Sequence, residues 1–409
     1  MHVLYFHQHF TTPDGSSGTR SYEFARALVA KGHRVTMVCG QSATGGLKLP
    51  WDAKARWHRG DVEGIDVIAL PLTYSNRTGL AQRAWVFLRY AWRSVGLALR
   101  ADYDVLFATS TPLTAAVPGI AMKLLGRGKP FVFEVRDLWP ELPRALGIKN
   151  PLLLGGMSAL EWLGYRAADA CIGLAPGIAE GIRRRAPRDL RIVTIPNGCD
   201  LDLFTPGKRS KPLDLAGIEP GDFVAGFAGA HGIANGLDAV LDAAAELKRR
   251  GRTDIKVVLI GDGNQKDRLV ERARHEGLSG CMFFPPIKKL ELARLIGQLD
   301  CGLMILANVP AFYYGTSPNK FFDYIAAGLP VVNNYPGWLA DMIQDNDCGL
   351  AVAPNDPEAL ASALVKLADS PDRRKLMGVR SRQLAERGFS RESLAGKFVQ
   401  TLEDAAAGR

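Results

Sequence analysis

The stretch from Gly315 to Val332 sets a lysine and a carboxylate among helix-boundary residues. Ser317 followed by Pro318 predicts a helix N-cap with proline in the first turn, and Gly328 predicts the stop. The free N–H groups around Pro318, Asn319 and Lys320, joined by the Lys320 ammonium, suit a pyrophosphate. Asp323, one turn further, suits ribose hydroxyls, because an ionised carboxylate only accepts hydrogen bonds. The plainer alternative is a capped helix with a solvated charge.

Two other loops carry chemistry. Arg136-Asp137-Leu138-Trp139-Pro140-Glu141 follows an apolar run. In it Asp137 and Glu141 are carboxylates able to accept from a hydroxyl, or Arg136 and Asp137 would form a buried pair that fixes the loop. Asp14-Gly15-Ser16-Ser17-Gly18-Thr19-Arg20 opens a helix, and Gly18 and its neighbours would let the backbone approach a ligand. It lacks both the Gly-x-Gly-x-x-Gly spacing of a dinucleotide site and the lysine of a P-loop.

These loops need elements to hold them. Short apolar runs at His2–Phe6, 34–39, 67–70, 105–108, 131–134, 170–173 and 191–195 alternate with helical patterns, which predicts parallel strands joined by crossover helices. A proline-punctuated polar segment, 205–220, reads as a linker. The alternation then restarts with runs at 223–227, 256–260, 282–284, 302–306 and 330–333. The fold expected is α/β, with two doubly wound Rossmann-like domains facing a cleft. The first covers 1–200 and the second covers 201–385. A C-terminal helix over 386–409 packs across both. Ligands of such sheets lie beyond the carboxyl ends of the strands, where the loops above fall.

Together these pieces resemble the retaining glycosyltransferases of the GT-B fold, glycosyltransferase family 4. The pieces are the Gly-Ser-Ser-Gly-Thr-Arg loop, Ile195-Pro196-Asn197-Gly198-Cys199-Asp200 with Phe204, Phe227-Ala228-Gly229, Leu259-Ile260-Gly261-Asp262-Gly263, and the Ala326-Ala327-Gly328-Leu329-Pro330-Val331-Val332 turn. The resemblance implies transfer of a sugar from a UDP-sugar to a hydroxyl of a glycan or lipid-linked acceptor, with retention. It is nearest the branch that moves N-acetylated amino sugars in surface polysaccharide synthesis. Donor-binding residues implied are Gly18, Arg20, Gly229, His231, Asn235, Gly261, Ile287, Lys288, Ser317, Pro318, Asn319, Lys320 and Asp323. The resemblance places the acceptor on the domain over 1–200 and the donor on the domain over 201–385. Arg136, Asp137, Glu141 and Lys320 take the catalytic positions, with Asp137 or Glu141 orienting the acceptor hydroxyl, and Glu291 is the residue implied to reach ribose. The family's paired-glutamate motif departs here: Gly315 replaces the first Glu and Asp323 the second. Neither a cofactor nor a metal is implied.

At 409 residues, 47% hydrophobic and 23% charged, the chain has the composition of a folded protein rather than a disordered one. Its six cysteines, without Cys-x-x-Cys spacing, read as small buried hydrophobes, and the N-terminus lacks a signal-peptide pattern, so a cytoplasmic location is expected. The net charge of +9 suits an anionic partner. Dispersal of the basic residues argues against nucleic acid. Along 77–100, Trp85, Leu88, Trp92, Val95 and Leu99 form one stripe and Arg83, Arg89, Arg93 and Arg100 lie elsewhere. That pattern suits peripheral contact with an anionic inner-membrane face, although such a stripe more commonly faces a core. The rival readings are a non-catalytic nucleotide-sugar-binding protein, a nucleotide-sugar epimerase or phosphorylase of the same fold, and a basic nucleic-acid binder.

Overall fold

Strands buried on both faces are nearly continuous in apolar residues, which is the mark of parallel sheets covered by helices. Val105–Thr109 and Phe131–Val135 meet that condition along their whole length. A computed structural model describes residues 1–15, 18–42, 45–50, 55–74, 79–145, 147–207 and 217–408. The chain divides into two compact units. One comprises Met1–Pro196, Tyr314–Ser317 and Glu392–Arg409; the other comprises Asn197–Tyr313 and Pro318–Arg391. Most of the proline-rich 205–220 segment lies outside the described residues.

The first unit is built on strands β1 (His2–Phe6), β2 (Arg34–Ser42), β3 (His58–Val62), β4 (Ile65–Tyr74), β5 (Val105–Thr109), β6 (Phe131–Val135), β7 (Ala170–Gly173) and β8 (Arg191–Thr194). Their order is β3-β4-β2-β1-β5-β6-β7-β8, parallel throughout except for the antiparallel β3–β4 hairpin at one edge. The unit's longer helices are α1 (Arg20–Ala30), α2 (Leu80–Arg100), α3 (Val117–Leu124), α4 (Glu141–Ala145), α5 (Pro151–Ala167) and α6 (Pro176–Arg185). Strand order reverses between β1 and β5, so the switch point, where doubly wound sheets bind ligands, lies there.

The second unit holds β9 (Phe223–Ala228), β10 (Ile255–Ile260), β11 (Cys281–Phe284), β12 (Cys301–Met304), β13 (Val331–Asn333) and β14 (Gly349–Ala351) in the order β11-β10-β9-β12-β13-β14, all parallel. Counted within the unit this is 3-2-1-4-5-6, the doubly wound order of dinucleotide-binding sheets. Its helices are α7 (Asp238–Arg249), α8 (Lys266–His275), α9 (Lys289–Ile296), α10 (Pro310–Tyr313), α11 (Asn319–Ala326), α12 (Trp338–Asp345), α13 (Pro357–Ala368) and α14 (Pro371–Gly388).

The single helix expected near the C-terminus is two. Helix α14 ends at Gly388, and α15 (Arg391–Ala406) follows after a break in which Ser390 pairs with Cys199. The apolar face of α15 completes the first unit's core, with the Phe398 ring stacked 4.5 Å from Phe24 and edge-on 4.9 Å from Phe107. All six cysteines are unpaired thiols, five of them buried.

Helix α2 reverses one sequence expectation. Its buried side is Val86, Tyr90, Ala91, Ser94 and Ala98, while Trp85 and Trp92 are 60% and 82% exposed. The tryptophan stripe is not a core face. Ser94 and Ala98 are small enough for close approach to the sheet, and Tyr90 fixes the helix by donating its hydroxyl to the Val38 carbonyl at 2.7 Å. Among the described residues no helix is long and apolar enough to cross a membrane.

Candidate functional site

In the second unit the site grows from the ends of β9 and β10. Beyond β9 the chain bends at Gly229, and beyond β10 at Gly261. The two bends touch. A Cβ at Gly261 would stand 1.9 Å from the Gly229 carbonyl oxygen, and one at Gly263 would stand 2.4 Å from the His231 carbonyl oxygen. Only glycine fits, because the loops interlock through His231 N–H to the Asp262 carbonyl at 2.9 Å and Gln265 N–H to the His231 carbonyl at 2.9 Å.

Helix α11 begins beside this pair of loops. Its N-cap is Pro318 in extended conformation, without a side-chain cap, so Ser317 lies one residue outside the helix start expected for it. Ser317 groups with the first unit. Gly328 ends the helix at φ +67°, as its spacing predicted. The Lys320 ammonium donates to Asn235 Oδ1 at 3.1 Å, lies 3.9 Å from the centre of the Phe227 ring, and occupies the space where a Cβ on Gly229 would fall. The structure thus brings Gly229, His231, Asn235, Gly261 and Lys320 together.

Burial lowers Lys320 to about 7. The cause is desolvation, and Asn235 supplies no counter-charge. His231 is fully buried, and neither of its ring nitrogens has a hydrogen-bond partner among the described residues. Burial, assisted by Lys266, lowers it to about 4, so the ring is neutral near pH 7. A buried polar group without a partner is uncommon and marks a place for water or ligand.

Asp323 faces other company. Burial pushes its carboxyl up to about 7, opposed by Lys289 and Arg391 and reinforced by Asp200. It belongs with the Asn197-Gly198-Cys199-Asp200 segment, where Lys289 pairs with Asp200 at 3.0 Å. Arg382 ties that segment to α11 by donating to the carbonyls of Leu201, Phe204 and Ala326. Ile287 is half-buried, and Lys288 and Glu291 are exposed, beyond β11 and two strands away from β9. Asn319 is exposed at the first turn of α11.

In the first unit, residues predicted from sequence take different parts. Ser16 and Ser17 lie outside the described residues, and Gly18 is exposed. Arg20 is not a phosphate ligand in this geometry. It is buried, and it donates to Glu134 Oε2 at 2.8 and 3.0 Å and to the carbonyls of Ile195 and Pro196 at 2.7 and 2.6 Å. Arg136 and Asp137 do not pair with each other. Arg136 donates to Thr109 Oγ1 at 2.9 Å and Glu134 Oε1 at 3.3 Å, while Asp137 accepts from Thr111 at 3.2 Å. Burial raises Asp137 above its ordinary value, against the Thr111 bond and the Arg136 charge. Glu141 is exposed at the start of α4, 3.7 Å from Arg185.

Sequence reasoning missed the residues that follow β1. His7, Gln8 and His9 stand at the first unit's switch point. His7 Nδ1 and both amide atoms of Gln8 are buried without a hydrogen-bond partner among the described residues. Burial, with Arg136 nearby, holds His7 well below its ordinary value and His9 at about 4. Their position directly after the first strand was the available signal. Such a set of neutral imidazoles and an amide can bind hydroxyls in either direction.

Comparison with known proteins gives the class. Residues 15–198 match the family model described as "Glycosyl transferase 4-like domain", and 222–370 match "Glycosyl transferases group 1". Together the two models span most of the chain, which belongs to the glycosyltransferases of GT-B type. A D-inositol 3-phosphate glycosyltransferase of Nocardia farcinica is 32% identical over 204 residues, 48% of this chain and 44% of that one. The match therefore spans less than half the relative's length. In fold, the chain is similar to the sucrose-phosphate synthase of Thermosynechococcus elongatus, with TM-score 0.78, 17% identity and 100% of both chains covered. It is also similar to Anabaena HepE solved in complex with UDP, with TM-score 0.67, 16% identity, and 99% of this chain and 100% of that one covered.

Proposed function

We propose that this chain transfers a sugar from a UDP-sugar to a hydroxyl of a glycan or lipid-linked acceptor, with retention of anomeric configuration. The observation that carries the reading is the convergence of Lys320, Asn235 and His231 on two interlocked glycine bends at the second unit's switch point. A diphosphate laid there would meet the α11 N-terminus and a half-buried ammonium, whose attraction to the leaving phosphate strengthens as negative charge builds on it. The similarity to a structure solved with UDP supports uridine as the base. The reading of the sugar as an N-acetylated amino sugar rests on the resemblance of the Ser317-Pro318-x-Lys320 stretch and the Gly315 substitution to that branch of the family.

On the acceptor side, Asp137, Arg136 and the imidazoles after β1 would orient the incoming hydroxyl. The departing phosphate takes its proton, so no strong protein base is required, and neither is a metal or cofactor. Arg136 would hold the Asp137 carboxylate's surroundings positive. Glu141 stands at the rim of the same loop.

The test is a calorimetric panel of UDP, GDP, ADP and UDP-sugars on the wild type and on Lys320→Ala. Selective binding of UDP that weakens by about 1.5–3 kcal/mol in the variant, the range for a hydrogen bond to a charged group, supports the donor site. Equal binding by both proteins sinks it. If UDP-N-acetylhexosamine binds but no transfer occurs to any lipid-linked acceptor, the non-catalytic binder is the better reading.

A further inference from the structure

The outward face of α2 has a composition that no packing within the first unit uses. Trp85, Leu88 and Trp92 follow one another at i, i+3 and i+7, and all three are largely exposed, Leu88 at 56%. With Arg89 and Arg93 they line a shallow depression of about 340 Å³. Neither arginine has an ion-pair partner among the described residues. Arg89 is exposed, while Arg93 is half-buried, with one guanidinium nitrogen shielded from solvent and without a hydrogen-bond partner. The whole helix, Leu80–Arg100, contains four arginines and no acidic residue. At its C-terminal end Arg127 donates to the carbonyls of Ala98 and Ala101, and Leu124, which ends α3, and Leu125 after it are exposed.

We infer that this face of α2 docks on an anionic lipid bilayer, with Trp85, Leu88 and Trp92 entering the headgroup boundary and Arg89 and Arg93 meeting lipid phosphates. Tryptophan is suited to that depth because its ring is apolar and its indole N–H still finds a polar partner. Arginine spans the boundary with an apolar stem and a charged head. A second copy of this chain fits the face poorly, since a two-fold contact would bring like arginine rows together. Nucleic acid would engage the arginines and tryptophans but leave Leu88 in water.

The experiment is co-sedimentation of the full chain with phosphatidylcholine vesicles, alone or carrying roughly a third phosphatidylglycerol. The wild type should sediment with the anionic vesicles, less as salt rises, and remain in solution with neutral ones. Trp85→Ser/Trp92→Ser and Arg89→Glu/Arg93→Glu should each lower the partition about tenfold or more, given the attraction of each basic residue to an anionic surface. Melting temperature and UDP affinity should stay unchanged in the tryptophan variant, which separates this surface from the donor site. Absence of wild-type sedimentation, or sedimentation that both variants leave intact, overturns the inference. So does sedimentation velocity that finds a dimer lost in the tryptophan variant, or tight binding of a short RNA by protein that ignores vesicles.

Discussion

Arg20 and Glu134, 114 residues apart in sequence, form a fully internal ion pair in which two guanidinium N–H groups converge on one carboxylate oxygen. Thr109 and Arg136 hold the other oxygen. Burial alone would raise Glu134, yet Arg20 and Arg136 outweigh it and keep the carboxyl below its ordinary value. The pair locks the start of α1, the end of β6 and the carbonyls after β8 to one another.

Removing the carboxylate leaves Arg20 charged and buried with only neutral acceptors. Glu134→Ala should cost about 3–5 kcal/mol, the range for breaking a buried pair, read as a lowered urea midpoint. Arg20→Ala should weaken the fold similarly yet leave UDP affinity unchanged where the protein is folded. A large loss of UDP affinity without loss of stability would restore Arg20 to the donor site.

Lys320 predicts a proton linkage. With its value near 7 in the ligand-free protein, the side chain is increasingly neutral above pH 7, whereas a bound diphosphate favours the ammonium. UDP binding above pH 7 should therefore take up a proton, and affinity should fall by up to about tenfold per pH unit. Calorimetry in buffers of different ionisation enthalpy measures the uptake. Lys320→Ala should bind more weakly and without this slope.

Asp323 predicts a pH effect on stability. Its folded value of about 7 is raised above the unfolded one. Its stabilisation is fully present below the unfolded value, near 4, and is lost as pH rises to 7. Relative to Asp323→Asn, the wild type should lose at most about 1.4 kcal/mol per pH unit across that window. Denaturant titrations of both proteins at pH 5, 6, 7 and 8 check this. A constant difference would place Asp323 in an environment that does not perturb it.

Gly261 predicts a steric effect. Alanine there would drive Cβ into the Gly229 carbonyl, and the backbone is at φ +150°. Gly261→Ala should lower the melting temperature and weaken UDP binding together, because the same interlock shapes the site. Alanine at Gly156, which meets nothing nearby, should do neither.

Some of the architecture was legible because apolar runs bounded by polar residues define buried strands. The limits of β1 and β7 follow directly from such runs. Strand β3 was not legible: His58-Arg59-Gly60-Asp61-Val62 has no apolar alternation and is held by pairing with β4. Its hairpin turns at Glu63 and Gly64, both at positive φ, without the Asn-Gly or Asp-Gly that announces such a turn. The face of α2 was ambiguous because its inward side is small and partly polar. The position of Lys320 in the first turn of α11 was legible from helix-boundary signals, and Gly229 entered through the resemblance. The isolation of His231 and the Arg20–Glu134 pair were not, since both depend on contacts far apart in sequence.

The seating of Phe398 between Phe24 and Phe107 also bears on synthesis. The first unit's strands leave the ribosome early, but the helix that completes their core is made after the whole second unit. At roughly 5–20 residues per second, the intervening stretch of about 200 residues imposes a wait of about 10–40 s. During that time the aromatic floor of the first sheet lacks its cover. A ribosome stalled before residue 391 would release a second unit with all its strands made and a first unit whose Phe24 and Phe107 lack the Phe398 ring.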